Sequence, residues 1–262
     1  MILDDILKHK KTEVAARKKR KPLASLKKEV AALKPRSPQF LKALTAARRM
    51  AVIAEIKRKS PSKGILRKKF DPAGIARDYD RGGATALSVL TDEKFFGGSL
   101  ENLQKVRSVT RLPILRKDFI IDEYQIWETR NLGADAVLLI AGTLSVAKLR
   151  RFSDLARRLG LDALVEVHTE NEARKAIQVQ APLVGINNRD LKSFKVDLAT
   201  TKRLAGFFSK KVCVVSESGI QSGKDLLYLK ACGAKAALVG ESLMRRPGPG
   251  AALKVLLRAS RG

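Results

Sequence analysis

Between residues 51 and 240 the chain repeats one pattern with unusual regularity, a short apolar run followed by a helical stretch. The runs lie near 51–57 (AVIAEIK), 84–90 (ATALSVL), 112–117 (LPILRK), 135–140 (DAVLLI), 161–167 (LDALVEV), 182–187 (PLVGIN), 211–216 (KVCVVS) and 235–240 (KAALVG). Between them lie patterns of helical period, such as DPAGIARDYDRG, VAKLRRFSDLARRLG and KDLLYLKACG. Short apolar runs separated by helices predict parallel strands joined by right-handed crossovers. GGATALSVL, LGADAVLLI and CGAKAALVG repeat one junction, in which a helix ends on Gly and a strand starts within a few residues. Eight such units predict an α/β fold, a (β/α)8 TIM barrel, with a doubly wound open sheet as the competing arrangement.

Residues 1–48 stand outside the repeat. Ile2, Leu3, Ile6 and Leu7, then Leu23, Leu26, Val30 and Leu33, recur at helical spacing, Pro35 ends the second stripe, and SPQFLKAL predicts a short helix capped at Ser37. Neither stripe is wide enough to enclose its own core. The expectation is one barrel domain over 1–262, with 1–48 as an N-terminal helical extension packed on it.

Composition narrows the function classes. No segment approaches the roughly 18 apolar residues of a membrane span, and the first thirty residues lack a secretory apolar core, so a cytoplasmic protein that does not bind membranes is expected. Cys213 and Cys232 lie in apolar surroundings without disulfide or zinc spacing and read as small packing residues. The formal net charge is +27, and residues 1–50 hold fifteen Lys and Arg against Asp4, Asp5, Glu13 and Glu29. Such a field attracts phosphorylated metabolites and polyanions alike. Phe40 is the one aromatic residue of that segment, so base stacking has little to work with. A solvated helical face is expected there in place of a nucleic-acid arm, with nucleic-acid contact limited to non-specific attraction.

Chemistry is expected at the carboxyl ends of the strands. In IAEIKRKSPSKG, Glu55 and Lys57 are two residues apart and share a strand face, ahead of a loop with Ser60. Later runs end in Lys117 with Phe119 beyond, in Glu166 and His168, in Asn187 and Arg189, in Glu217, Ser218 and Gly219, and in Gly240, Glu241 and Ser242. One such residue is as easily a structural ion pair; several strands ending this way point to a site. Gly219 and Gly240, after the last two strands, suit a cradle of backbone N–H groups for a phosphate. GIQSGK, from Gly219, imitates a nucleotide-binding loop but has one residue too few between its glycines and continues into Asp225, so nucleotide binding is rejected.

Together IAEIKRKSPSKG, LTDEKFFGGS, LRKDF, GADAVLLI, GINNRDL and ESGI, in that order, closely resemble indole-3-glycerol phosphate synthase of tryptophan biosynthesis. The resemblance spans nearly the whole chain, extension included. It implies ring closure of 1-(2-carboxyphenylamino)-1-deoxyribulose 5-phosphate with loss of carbon dioxide and water, without metal or other cofactor. It implies Lys117 as the acid that protonates the ketone, Glu166 as the group moving protons in the later dehydration, and Glu55 and Asn187 as positioning groups. Lys57 would hold the anionic substrate, with Ser60 beside it and Arg189 as an electrostatic partner, and Phe96 and Phe119 would flank the aryl ring. Ser218, Gly219, Gly240 and Glu241 fall at phosphate-proximal positions. Some relatives carry Ser where this chain has Glu241; a carboxylate cannot accept the phosphate's charge, so only its backbone N–H is expected to serve.

An acid working near neutral pH leads to two further expectations, a Lys117 pKa depressed by a neighbouring lysine and a Glu166 pKa raised beneath an apolar ring. His168 is expected at the rim and not as a metal ligand. The partner expected is a phosphorylated small molecule, bound by a monomer. Two other readings remain. An isomerase of phosphoribosylanthranilate type would want Cys where the first strand ends in Glu55 and Lys57, and a basic RNA-binding barrel would have no use for the inward carboxylates.

Overall fold

The computed structural model describes residues 2–190 and 194–260. Eight parallel strands close into a barrel: β1 (Ala51–Ile56), β2 (Ala86–Leu90), β3 (Ile114–Lys117), β4 (Ala136–Ile140), β5 (Asp162–Val167), β6 (Leu183–Asn187), β7 (Cys213–Glu217) and β8 (Ala236–Val239). β1 pairs with both β2 and β8, Ala54 being in register with Leu87 on one side and Val239 on the other. That closure removes the open sheet as an alternative.

Helices α4 (Pro72–Gly82), α5 (Leu100–Arg107), α6 (Glu123–Asn131), α7 (Val146–Arg158), α8 (Glu170–Gln178), α9 (Ala199–Ala205) and α10 (Gly223–Ala231) fill the crossovers. A short α11 (Glu241–Met244) and α12 (Pro249–Arg258) follow β8, and α12 packs on α4. Most strands begin one or two residues later than the apolar runs, because the first residues of a run still belong to the turn. Gly83, Gly133, Gly160 and Gly233 all have positive φ there, and between α8 and β6 Gln180 adopts the same left-handed region at φ 55°. The junction is thus a geometry that glycine favours and that one side chain tolerates.

The extension forms α1 (Ile2–Arg20), α2 (Leu23–Ala31) and α3 (Phe40–Ala46), with α1 and α2 lying against α6. The short helix starts three residues after the expected Ser37 cap; Gln39 precedes it and makes no side-chain cap. α3 crosses the amino-terminal end of the barrel, where Phe40 and Leu44 cluster with Ala51, Ala86, Ala136, Cys213 and Ala236. Small residues at the strand starts leave room for the Phe40 ring, whose complete burial stabilises by about 1.5–3 kcal/mol. Cys213 is a packing residue, as expected, and burial pushes its thiol up to about 11. The expectation of a wholly solvated basic face is corrected at two positions, since Lys10 and Arg17 are buried.

Strand alternation sets the barrel interior. Ile53, Leu115, Leu164 and Val215 belong to the inner cluster, and one step further along the same alternate strands come Glu55, Lys117, Glu166 and Glu217. The alternate residues of these strands, such as Val52, Ala54, Val165 and Val214, join the cluster under the helices.

Candidate active site

Four ionisable side chains from β1, β3, β5 and β7 meet at the carboxyl end of the barrel. The Lys117 ammonium donates to Glu166 Oε2 at 2.6 Å and Glu217 Oε2 at 2.5 Å. Asn187 Nδ2 donates to Glu166 Oε1 at 3.2 Å, and Lys57, just past β1, pairs with Glu55. Two glycines make this convergence possible: a Cβ on Gly185 would meet Glu217 Oε1 at 2.0 Å, and one on Gly240 would meet Glu55 Oε2 at 2.2 Å. Gly240 therefore has a packing reason to be glycine beside the one read from sequence.

The electrostatics differ from the expectation. Burial acts to lower the Lys117 pKa, but Glu166, Glu217 and Glu55 outweigh it and hold the ammonium above its ordinary range. Among the described residues no second lysine depresses it, Lys57 being turned to Glu55. Burial acts to raise Glu166, yet Lys117 outweighs that and its carboxyl lies below the ordinary value. The raised carboxyl is Glu217, which burial pushes up to about 7 despite Lys117, with Glu166 adding to the rise. Its Oε1 has no hydrogen-bond partner among the described residues. Lys117 is thus a persistently charged hydrogen-bond donor, flanked by one carboxylate that stays ionised and one that exchanges its proton near neutrality.

Two loops carry the aromatic pair. The Phe96 and Phe119 rings are 6.0 Å apart, tilted by 39°. After β1, Lys59–Ser60 and Gly64–Ile65 form a small hairpin, tied to the Phe96 loop by the Lys59 N–H to Phe96 O and by Lys59 Nζ to Lys94 O. Ser60 Oγ is buried without a partner among the described residues.

Ser218 and Gly219 follow β7 with φ of 70° and 85°. Two successive left-handed residues turn the chain sharply, and only the second is glycine. Arg189 Nη2 donates to Glu241 Oε2 at 3.3 Å, and Arg245 Nε to Glu241 Oε1 at 3.3 Å. The Glu241 carboxylate is therefore turned to guanidinium groups, which suits a residue that offers an anion only its backbone. The neighbouring GIQSGK stretch is a helix start: Ser222 and Asp225 form a capping box on α10.

The residues given a site role from sequence line one cavity of about 1320 Å³: Glu55, Lys57, Ser60, Phe96, Lys117, Phe119, Glu166, Asn187, Arg189, Ser218, Gly219, Gly240 and Glu241. His168 stands behind Asn187. Its Nδ1–H donates to Asn187 O at 2.7 Å, and its own backbone N–H is held by Glu172. Among the described residues no His, Cys, Asp or Glu cluster is arranged to hold a metal ion, and no helix is long and apolar enough to cross a membrane.

A family model described as indole-3-glycerol phosphate synthase matches residues 3–256. The chain belongs to the indole-3-glycerol phosphate synthase family. It is 48% identical over 245 residues to the indole-3-glycerol phosphate synthase of Caldanaerobacter subterraneus, covering 94% of each chain. To the synthase of Burkholderia vietnamiensis it is 49% identical over 253 residues, covering 96% of this chain and 97% of the relative. Solved structures add a likeness of fold alone. Thiamine phosphate pyrophosphorylase from Pyrococcus furiosus superposes with a TM-score of 0.60 at 17% identity, over 80% of this chain and 95% of that one. N-acetylmannosamine-6-phosphate 2-epimerase from Clostridium perfringens gives 0.57 at 16%, over 74% and 87%.

Sequence reasoning missed two parts of this synthase-family site. It placed Glu217 at a strand end without a role, although Cys213, Val215 and Glu217 alternate inward and a carboxylate on that face needed a partner. It also missed Ile2, Leu3 and Ile6 of α1, which line the same cavity. Nothing local to the α1 sequence says which of its faces meets the barrel mouth.

Proposed function

We propose that this member of the synthase family closes the indole ring in the cavity described, with the roles that follow. The reaction converts 1-(2-carboxyphenylamino)-1-deoxyribulose 5-phosphate to indole-3-glycerol phosphate, carbon dioxide and water. The Lys117 ammonium, flanked by Glu166 and Glu217, is the observation that carries the reading. An ammonium kept charged by two carboxylates can hydrogen-bond the ketone oxygen and stabilise the alkoxide that develops there as the aryl carbon attacks the carbonyl carbon, passing its proton on as that oxygen becomes basic. Departure of carbon dioxide from that aryl carbon then restores aromaticity. Dehydration removes the new hydroxyl as water with a proton from the adjacent CH₂, and Glu166, ionised and within reach of Lys117, is the base.

The remaining residues bind and orient. Phe96 and Phe119 hold the aryl ring, Lys57 meets the anionic substrate beside Ser60, and Glu55 and Asn187 direct the hydroxyls. The N–H groups around Ser218, Gly219, Gly240 and Glu241, with Arg189 near them, take the phosphate. The reading takes the protein as a cytoplasmic monomer that uses no metal or organic cofactor. The test is to add the substrate to the purified protein and follow indole fluorescence. A rise in the parent, reduced about 10²–10⁴-fold in Lys117→Ala, is the expected outcome; a parent that gives no rise sinks the proposal.

A further inference from the structure

Lys10 is the one ammonium on α1 with no exposure at all, and the proposed chemistry does not use it. It reaches Asp118 Oδ1 at 2.8 Å, Asp92 Oδ2 at 3.0 Å and Glu13 Oε2 at 3.0 Å. Both aspartates are themselves fully buried along their side chains. Burial acts to lower the Lys10 pKa, and the surrounding carboxylates outweigh it, so the ammonium stays charged.

The two aspartates do more than neutralise Lys10. Asp92 Oδ1 accepts from the backbone N–H of Phe95 at 2.9 Å and of Phe96 at 3.2 Å. Asp118 Oδ1 accepts from the N–H of Phe119 at 2.8 Å, while its Oδ2 accepts from Thr91 and Arg116. Each ring of the pair therefore hangs from a backbone N–H fixed by a carboxylate, and one ammonium joins the two carboxylates. The same helix packs His9 against Phe95 with ring centroids 6.0 Å apart.

We propose that Lys10 is a positioning residue that sets the spacing between the Phe96 and Phe119 loops, so that the N-terminal helix tunes how the site grips the aryl end of its substrate. This rests on the assignment of Phe96 and Phe119 to the aryl ring. Without Lys10, Asp92 and Asp118 repel across the gap it fills, and the two loops move apart. The phosphate end, built on β7 and β8, shares none of these groups.

Lys10→Met keeps the length of the side chain and removes its charge. In a folded variant the expected result is a KM about tenfold higher, kcat within about threefold of the parent, and an inorganic phosphate Kd, by calorimetry, within about twofold. In protein labelled with fluorophenylalanine, the ¹⁹F signals of Phe96 and Phe119 shift and that of Phe40 stays. That readout needs no turnover, so an inactive parent overturns the functional reading while the spectra still judge the role of Lys10. Unchanged KM and unchanged ¹⁹F signals overturn the proposal, as does an equal weakening of substrate and phosphate, which would mark general loosening. If Lys10→Met does not fold, Lys10→Met with Asp92→Asn, which removes the repulsion and keeps the Phe95 and Phe96 acceptor, is compared with Asp92→Asn alone: loss of the bridging ammonium is expected to shift the Phe96 and Phe119 ¹⁹F signals between the two, and coincident signals overturn the proposal.

Discussion

Arg116 and Lys117 are consecutive residues of β3, and they enter two buried ionic clusters of opposite character. Arg116 points out of the barrel, where Asp118, Glu128, Thr91, Thr129 and the Gln125 carbonyl surround it. Glu128 passes the network on to Arg17 of α1. Lys117 points inward, and of its two carboxylates Glu217 keeps an oxygen without a partner among the described residues, buried against Gly185. The outer cluster is saturated and holds helices to the sheet. The inner one is left incomplete, and an incompletely paired group is free to act on a ligand.

The contrast breaks most sharply at the pair itself. Lys117→Met is expected to lower kcat about 10²–10⁴-fold while the urea midpoint falls less than in Arg116→Met, because Glu217, already raised to about 7, takes up a proton and relieves the pair left behind. Arg116→Met strands Asp118 and Glu128 and is expected to cost about 3–5 kcal/mol of stability, read as a lower urea midpoint. If both variants lost stability equally, the distinction between the clusters would not stand.

A smaller effect separates the carboxylates by pH. The folded Glu217 pKa, about 7, lies above the unfolded value, so its contribution to stability is present at low pH and lost as pH rises towards 7. Glu217→Gln removes that loss. Thermal melts should show the variant gaining on the parent from pH 5 to pH 7 and then holding a constant lead. A difference that shrank with rising pH would reverse the assignment of the raised carboxyl.

The smallest effect concerns the half-exposed Glu241 pair. Glu241→Ser frees Arg189 from its carboxylate and is expected to lower KM by no more than about threefold, in keeping with the small energies of solvent-screened ion pairs. A rise in KM would mean that the carboxylate itself supports the substrate.

Much of this was legible in the chain. Period and length gave eight parallel strands, because a strand buried on both faces must read as an apolar run and a crossover must carry a helix. The inward set at the strand ends followed from two-residue alternation, which is local geometry. What alternation cannot supply is which side chains meet across the barrel. Glu55, Lys117, Glu166 and Glu217 are up to 162 residues apart in sequence, and their protonation depends on distances of a few ångström between different strands. Hence the sequence pointed to Glu166 as the raised carboxyl, and tertiary structure moved that property to Glu217. Lys10 teaches the same from the other side: among fifteen cations in the first fifty residues nothing local marks it, and only the docking of α1 against Asp92 and Asp118 makes it a buried charge. Secondary structure and facing are written in near neighbours, whereas pairing and pKa belong to the closed barrel, where charges meet in a low dielectric.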